Sequence, residues 1–126
     1  MNDNEETRGA EGGIVHISDE VVASIAALTA ADVEGVASLS AGVDFAELIG
    51  RRNLAKGVKI AIQDRTVLLD ISLLVRYSFP IPAVAAKVQK KVKEAVESMT
   101  GLTVSEINIH VFGVSFDKEI KKKPRS

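Results

Sequence analysis

The sequence contains no cysteine among its 126 residues. This absence excludes disulfide bonds, thiolate metal ligands and a cysteine nucleophile, and it fits a reducing compartment such as the cytosol. Aromatic residues are also scarce, at 4% of the chain, whereas hydrophobic residues together make up 46%. Valine, isoleucine, leucine and alanine must therefore fill the core, and a chain of this length can bury one self-sufficient core.

An excess of charge of either sign is missing as well. The chain has 16 basic and 17 acidic residues and a net charge of -1, so it has no overall field that attracts nucleic acid or a membrane. No apolar run approaches the roughly 20 residues that span a bilayer. The first residues are acidic, which is not typical of a signal peptide. We therefore expect any membrane association to be peripheral or to depend on a partner.

Apolar residues at three- and four-residue spacing predict two helices. The second is the more regular, because Pro82 suits its first turn and Gly101 suits the left-handed position after its end. Lysines and glutamates on its other side, such as Lys93 and Glu97, form an ordinary solvated face. The predicted inward stripe comprises Ile81, Val84, Ala85, Val88, Val92, Ala95, Val96 and Met99.

The first helix is predicted to follow Ser18, which is a good N-cap, and to end near Ala30. Short strands are predicted on either side of it, at residues 15–17 and at residues 36–39. The predicted inward face of this helix comprises Val21, Val22, Ile25, Leu28 and Thr29.

Alternating apolar and polar residues predict a hairpin between residues 57 and 77. A two-residue turn at Asp64 and Arg65 would place both apolar sets on one face, as a hairpin register requires. The pairs predicted across this turn are Ile62 with Val67, Ile60 with Leu69, and Val58 with Ile71. A last strand is predicted at residues 103–111, with Ile107, Ile109 and Val111 inward.

The order helix–strand–hairpin–helix–strand predicts an α+β fold, with two helices packed on one face of a mostly antiparallel sheet. We expect a single domain over residues 14–116. A disordered acidic tail at residues 1–13 would precede it, and a basic tail at residues 117–126 would follow it.

The other face of this sheet has no further element to cover it. Its predicted outward residues include Leu68, Leu74 and Phe112, beside Arg76 and His110. If the apolar side chains adjoin, they make an exposed patch that marks a protein interface. A solvated face with scattered apolar residues is the alternative. We predict that these five residues form an interface for self-association or for a protein partner.

The sequence offers no convincing catalytic or metal site. Its two histidines, His16 and His110, lie on separate predicted strands and lack the spacing of a zinc motif. The stretch GRRNLAKG at residues 50–57 is not a phosphate-binding loop, because Ala55 and Gly57 replace its last glycine and its Ser or Thr. We expect no enzymatic activity, no metal, no cofactor and no small-molecule substrate.

A small RNA-binding module is the alternative function. Arg51, Arg52 and Lys56 could join the lysine face of the second helix in one basic strip. The net charge of -1 argues against it, and the stretch VFGVSF at residues 111–116 lacks the basic residue and second glycine of the ribonucleoprotein motif. Protein binding is therefore the preferred interpretation.

The end of the chain carries a basic cluster, Lys121, Lys122, Lys123 and Arg125. It is either a solubilising tail or a weak contact to anionic headgroups, at roughly 1 kcal/mol for each basic residue near the surface. Several tails in one oligomer would strengthen such a contact.

Three segments resemble the alkaline shock protein family, envelope stress response proteins of Gram-positive bacteria. They are HISDEVVASIAALTAADVEGVASL, GVKIAIQDRTVLLDISLLV and PAVAAKVQKKVKEAVESMTGLTVSEINIHV. The resemblance extends from about Ile14 to Phe116. It implies a small cytoplasmic domain without catalytic residues, acting as a scaffold or adaptor in envelope homeostasis. It also implies self-association and, in some members, attachment at the inner face of the membrane through an integral membrane partner.

Overall fold

A computed structural model describes residues 6–8, 13–39 and 57–116 of the chain. Arg51, Arg52, Lys56, the predicted basic tail and most of the predicted acidic tail lie outside the described residues. The described part forms the strands β1 (Glu6–Arg8) and β2 (Ile14–His16), helix α1 (Asp19–Ala31), the strands β3 (Val36–Ser38), β4 (Val58–Gln63) and β5 (Thr66–Arg76), helix α2 (Ile81–Thr100) and strand β6 (Thr103–Ser115).

Strand β5 is the centre of a four-stranded sheet. On one side it pairs antiparallel with β4 along its first part and with β3 near its end. On the other side it pairs with β6, from Thr66 opposite Thr103 to Arg76 opposite Ser115. Strands β1 and β2 form a separate antiparallel pair. The element order and the mostly antiparallel pairings confirm the predicted α+β fold.

The pairing of β5 with β6 is parallel, which the sequence prediction did not specify. The two strands are parallel because α2 carries the chain back along the whole length of β5 before β6 begins. A helix of 20 residues is about 30 Å long, which nearly matches the roughly 36 Å of the 11-residue strand β5. The helix therefore returns the chain to the start of β5, where the backbone N–H of Thr103 donates to the carbonyl of Arg65 at 3.0 Å.

The hairpin of β4 and β5 has the predicted register. Ile62 lies opposite Val67, Ile60 opposite Leu69, and Val58 opposite Ile71. The turn residues Asp64 and Arg65 have φ values of 51° and 66°. Two successive left-handed residues define a type I′ turn, whose twist matches that of the strands it joins.

Helix α1 begins as predicted, because the Ser18 hydroxyl accepts a hydrogen bond from the backbone N–H of Val21 at 3.3 Å. The predicted inward face is wrong in part. The buried residues are Val22, Ala23, Ala26 and Ala30, whereas Val21 and Leu28 are exposed. Small alanines face the core, since they allow the helix to approach its neighbours closely, and two larger apolar residues remain outside.

Helix α2 buries Val84, Val88, Val92 and Val96, as predicted, but Ile81 and Met99, which were also predicted to face inward, are exposed. The buried positions recur every fourth residue, and each step of four turns about 40° beyond a full rotation. By the last turn Thr100 therefore faces inward in place of Met99. The Thr100 hydroxyl donates to the Val96 carbonyl at 2.6 Å and accepts from the N–H of Leu102 at 3.1 Å.

The core lies between the two helices and one face of the sheet. Aliphatic side chains fill it, as the shortage of aromatic residues predicts; the largest that are fully buried include Leu69, Ile71, Leu73 and Leu102. Both helices contribute to this core, so neither of them covers the opposite face of the sheet.

Candidate protein-interaction surface on the outer sheet face

The side of the sheet that faces away from the helices is called the outer sheet face here. Strand β5 separates the two faces by strict alternation. Its inward residues, such as Leu69 and Leu73, are fully buried, whereas its outward residues Leu68, Leu74 and Arg76 are half-buried. Neither helix covers this side. The five residues predicted to form an interface all lie on the strands that make up this surface.

The structure brings these residues together in part only. Leu74 and Phe112 lie near the same end of β5 and β6. Leu68 is six residues away along β5, which corresponds to roughly 20 Å. A polar stretch with Asp70 and His110 separates Leu68 from the other end of the strand. The apolar patch is therefore confined to the Leu74 end, and Leu68 is a separate apolar position.

A β-bulge shapes the apolar end. Leu73 pairs with Val111 but Leu74 pairs with Gly113, so Phe112 is an extra residue in β6. Such a bulge bends the strand and redirects side chains. Phe112 is 41% exposed, and a Cβ atom added at Gly113 would lie 3.1 Å from Leu74 Cδ1. Glycine at this position therefore gives the Leu74 side chain room beside Phe112.

An exposed aromatic pair lies just past the ends of β5 and β6. The ring centroids of Tyr77 and Phe116 lie 4.9 Å apart, and both side chains are more than half exposed. Neither residue is among the five that the sequence predicts for an interface. The alternation ends at Arg76, the last residue of β5, and Tyr77 lies in the turn that follows it. Its position after the strand is the signal that could have identified it.

The centre of the outer sheet face is polar. His110 Nε2 lies 3.3 Å from Asp70 Oδ1, and the His110 side chain is 60% exposed. An exposed pair of this kind contributes little to stability. Lys59 and Arg76 on the same face are balanced by Asp70 and Glu106. Because the charges are mixed, the surface is better suited to a protein than to a phosphate backbone.

Two polar side chains of α2 form hydrogen bonds with the backbone of β6, away from the outer sheet face. Gln89 Nε2 donates to the Ile107 carbonyl at 3.0 Å, and Glu97 Oε2 accepts from the backbone N–H of Val104 at 2.8 Å. The Val104 hydrogen bond, together with Lys93, lowers the pKa of the Glu97 carboxyl. These contacts fix α2 on the sheet and have no evident catalytic use.

Among residues 6–8, 13–39 and 57–116, no three His, Asp or Glu side chains form a group that could hold a metal ion. In the same ranges, no helix is long and apolar enough to cross a membrane. The lysines of α2, which belong to the alternative RNA-binding strip, lie on the helix side and not on the outer sheet face.

Two helices on one side of a four-stranded sheet, with an apolar and aromatic end on the other side, define a small two-layer α+β domain. The chain belongs to the alkaline shock protein 23 family, whose function is cell envelope-related; the family model matches residues 7–116. This match confirms the family that the sequence resembles.

Two relatives show the extent of the sequence similarity. The uncharacterized protein YqhY of Bacillus subtilis is 36% identical over 112 residues, covering 87% of this chain and 83% of YqhY. The uncharacterized protein Spy1535 of Streptococcus pyogenes is 34% identical, covering 90% of this chain and 88% of Spy1535. Among solved structures, the copper form of a MamM CTD variant is similar with a TM-score of 0.49 and 11% identity, covering 76% of this chain and 98% of that one.

Proposed function

We propose that this chain is a non-enzymatic scaffold or adaptor in cell-envelope homeostasis, and that it self-associates through the outer sheet face. The cell envelope-related function of its family supports the setting. The observation that carries the proposal is the apolar end of the outer sheet face, where Leu74 and the bulged Phe112 lie, with the exposed Tyr77–Phe116 ring pair just past the ends of the same two strands. Clustered exposed apolar and aromatic side chains are typical of protein interfaces.

The polar middle of the same face supports specificity rather than affinity. Arg76 at the apolar end and His110 in the centre are partly exposed and can pair with a partner's polar groups. Charged groups at the rim of an interface orient the partner and discourage incorrect ones. Leu68 would contribute only to an interface that extends along the whole of β5.

The test is the double variant Leu74→Lys with Phe112→Lys. We expect it to shift the protein toward monomer in sedimentation velocity while its circular dichroism stays the same. Gln63→Lys adds charge at the far end of the same face and serves as the matched control. An oligomeric parent whose mass does not change in the double variant would contradict an interface on this face.

Placement at the inner face of the cell membrane would come from an integral membrane partner, with the protein itself in the cytoplasm. The basic cluster Lys121, Lys122, Lys123 and Arg125 would add only a weak contact to anionic headgroups. We expect weak, salt-sensitive sedimentation with anionic vesicles that disappears when residues 121–126 are removed. Binding to neutral vesicles, or binding in molar salt, would contradict this electrostatic origin.

A further inference from the structure

Helix α1 has apolar residues on both of its sides. Nine of its 13 residues are apolar, but only one side packs into the core. On the other side, Val21 is 47% exposed and Leu28 is 73% exposed, with the half-buried Ile25 between them. An exposed apolar strip of this kind is typical of a surface that binds another protein. The exposed side of α1 is therefore expected to have a partner.

Helix α2 lies beside α1 and runs in the opposite direction. Gly35, just after the end of α1, lies against Val84 in the first turns of α2, where an added Cβ would approach Val84 Cγ2 to 2.7 Å. The C-terminal end of α1 is therefore level with the N-terminal half of α2. The outward sides of these two helices form one surface, which we call the helix face.

Charges of opposite sign are separated between the two helices. Residues 18–35, which contain α1, include four acidic residues and no basic residue: Asp19, Glu20, Asp32 and Glu34. Helix α2 has four lysines, Lys87, Lys90, Lys91 and Lys93, against two glutamates. Lys87 and Lys90 are exposed in the half of α2 that is level with Asp32 and Glu34.

We propose that the helix face binds a second copy of this chain, with α1 of each copy lying on α2 of the other. A two-fold axis parallel to the helices produces this arrangement, because rotation about it places α1 over the partner's α2 without displacement along the helix. The acidic C-terminal end of each α1 then meets Lys87 and Lys90 of the other copy, whose long stems can cover Leu28 while their ammonium groups reach Asp32 and Glu34. Neighbouring helices across the interface are antiparallel, so their dipoles also oppose one another.

Charge decides between this arrangement and the other two-fold packing. An axis perpendicular to the helices would place α1 on α1, with acidic residues against acidic residues. Like charges facing each other across an interface are strongly unfavourable. The mixed sign of the whole helix face also favours a second copy over an anionic membrane or nucleic acid, because the acidic residues of the α1 side would repel either one.

The experiment begins from the variant Leu74→Lys with Phe112→Lys, so that any association through the outer sheet face is removed first. In that background, one variant carries Asp32→Lys and Glu34→Lys, and a second carries Lys87→Glu and Lys90→Glu. Each is expected to weaken dimerisation at least about tenfold in sedimentation velocity at low salt. The two variants change the net charge in opposite directions, so a general charge effect would not weaken both.

The decisive variant combines all four charge reversals in one chain. It restores the net charge and returns opposite charges to each α1–α2 contact, so dimerisation is expected to return to within about threefold of the starting protein. Circular dichroism checks that every variant is folded. A starting protein that is monomeric at every concentration would overturn the proposal, as would unchanged dimerisation in both charge variants or weakening that the combined variant does not reverse. If the protein does not associate through the outer sheet face, the Leu74 and Phe112 changes are not needed. The same charge variants made in the wild-type chain are then expected to give the same result.

Discussion

Glu97 accepts a hydrogen bond from the backbone N–H of Val104, with 2.8 Å between Oε2 and N. The bond joins the last turn of α2 to the start of β6 across the turn at Gly101, whose φ is 81°. Lys93 Nζ lies 3.3 Å from the same oxygen. One carboxylate therefore fixes the direction in which the chain leaves the helix and enters the sheet.

The Glu97 bond predicts a particular dependence of stability on pH. Its pKa in the folded protein lies below the ordinary value of 4.5, first because of the Val104 hydrogen bond and second because of Lys93. The carboxylate therefore stabilises the fold fully above the unfolded pKa, and this stabilisation is lost as pH falls through the folded pKa. We expect Glu97→Gln to lower the melting temperature near pH 7, and the difference from wild type to shrink below about pH 4.5.

Thermal melts of both proteins between pH 7 and pH 3 measure this difference. Glu94→Gln is the matched control, because that exposed residue lies on the solvent side of the same helix. A difference in melting temperature between Glu97→Gln and wild type that stays constant down to pH 3 would contradict this. It would show that the charge of Glu97 has no role in what its hydrogen bond to Val104 contributes to stability.

The assignment of the α2 faces predicts opposite outcomes for two neighbouring positions. Val88 is fully buried and Lys90 is exposed. Val88→Asp should cost several kcal/mol of folding free energy, because it places an unpaired charge in the core. Lys90→Ala should change stability by less than about 0.5 kcal/mol. Urea unfolding of both variants ranks them, and the reverse ranking would mean that the helix face is assigned wrongly.

The features that could be predicted from the sequence depend on local rules. The turn at Asp64 and Arg65, the cap at Ser18 and the end of α2 at Gly101 follow from residue type and periodicity. The inward side of α1 did not follow, because small alanines and larger apolar residues occupy both sides of that helix. Only close packing against neighbouring elements selects the alanine side.

The sequence predicts which residues lie on the outer sheet face, but it does not predict which of them adjoin. Alternation along β5 gives the side on which Leu74 lies, whereas the bulge at Phe112 interrupts the alternation of β6 and depends on pairing with β5. The contact between Tyr77 and Phe116 joins residues 39 positions apart in the sequence. Such distant contacts depend on the tertiary arrangement, which no local pattern encodes.

The last prediction concerns two glycines with similar backbone angles and different surroundings. Gly57 has φ of 78° and Gly101 has φ of 81°, so alanine is strained at either position, at about 1–2 kcal/mol. A Cβ at Gly101 meets nothing within 4 Å, whereas a Cβ at Gly57 would lie 1.9 Å from the Leu39 carbonyl oxygen. The backbone around Gly57 cannot move freely, because its carbonyl accepts from the N–H of Ser72 at 2.8 Å.

Gly101→Ala should therefore lose only the cost of the left-handed conformation. Gly57→Ala should lose about 3 kcal/mol or more, because it must also displace Leu39 or break the bond to Ser72. Urea unfolding with unchanged slopes compares the two free energies directly. Equal losses would show that the close approach of Leu39 is not what requires glycine at position 57, and that the backbone angle alone accounts for both positions.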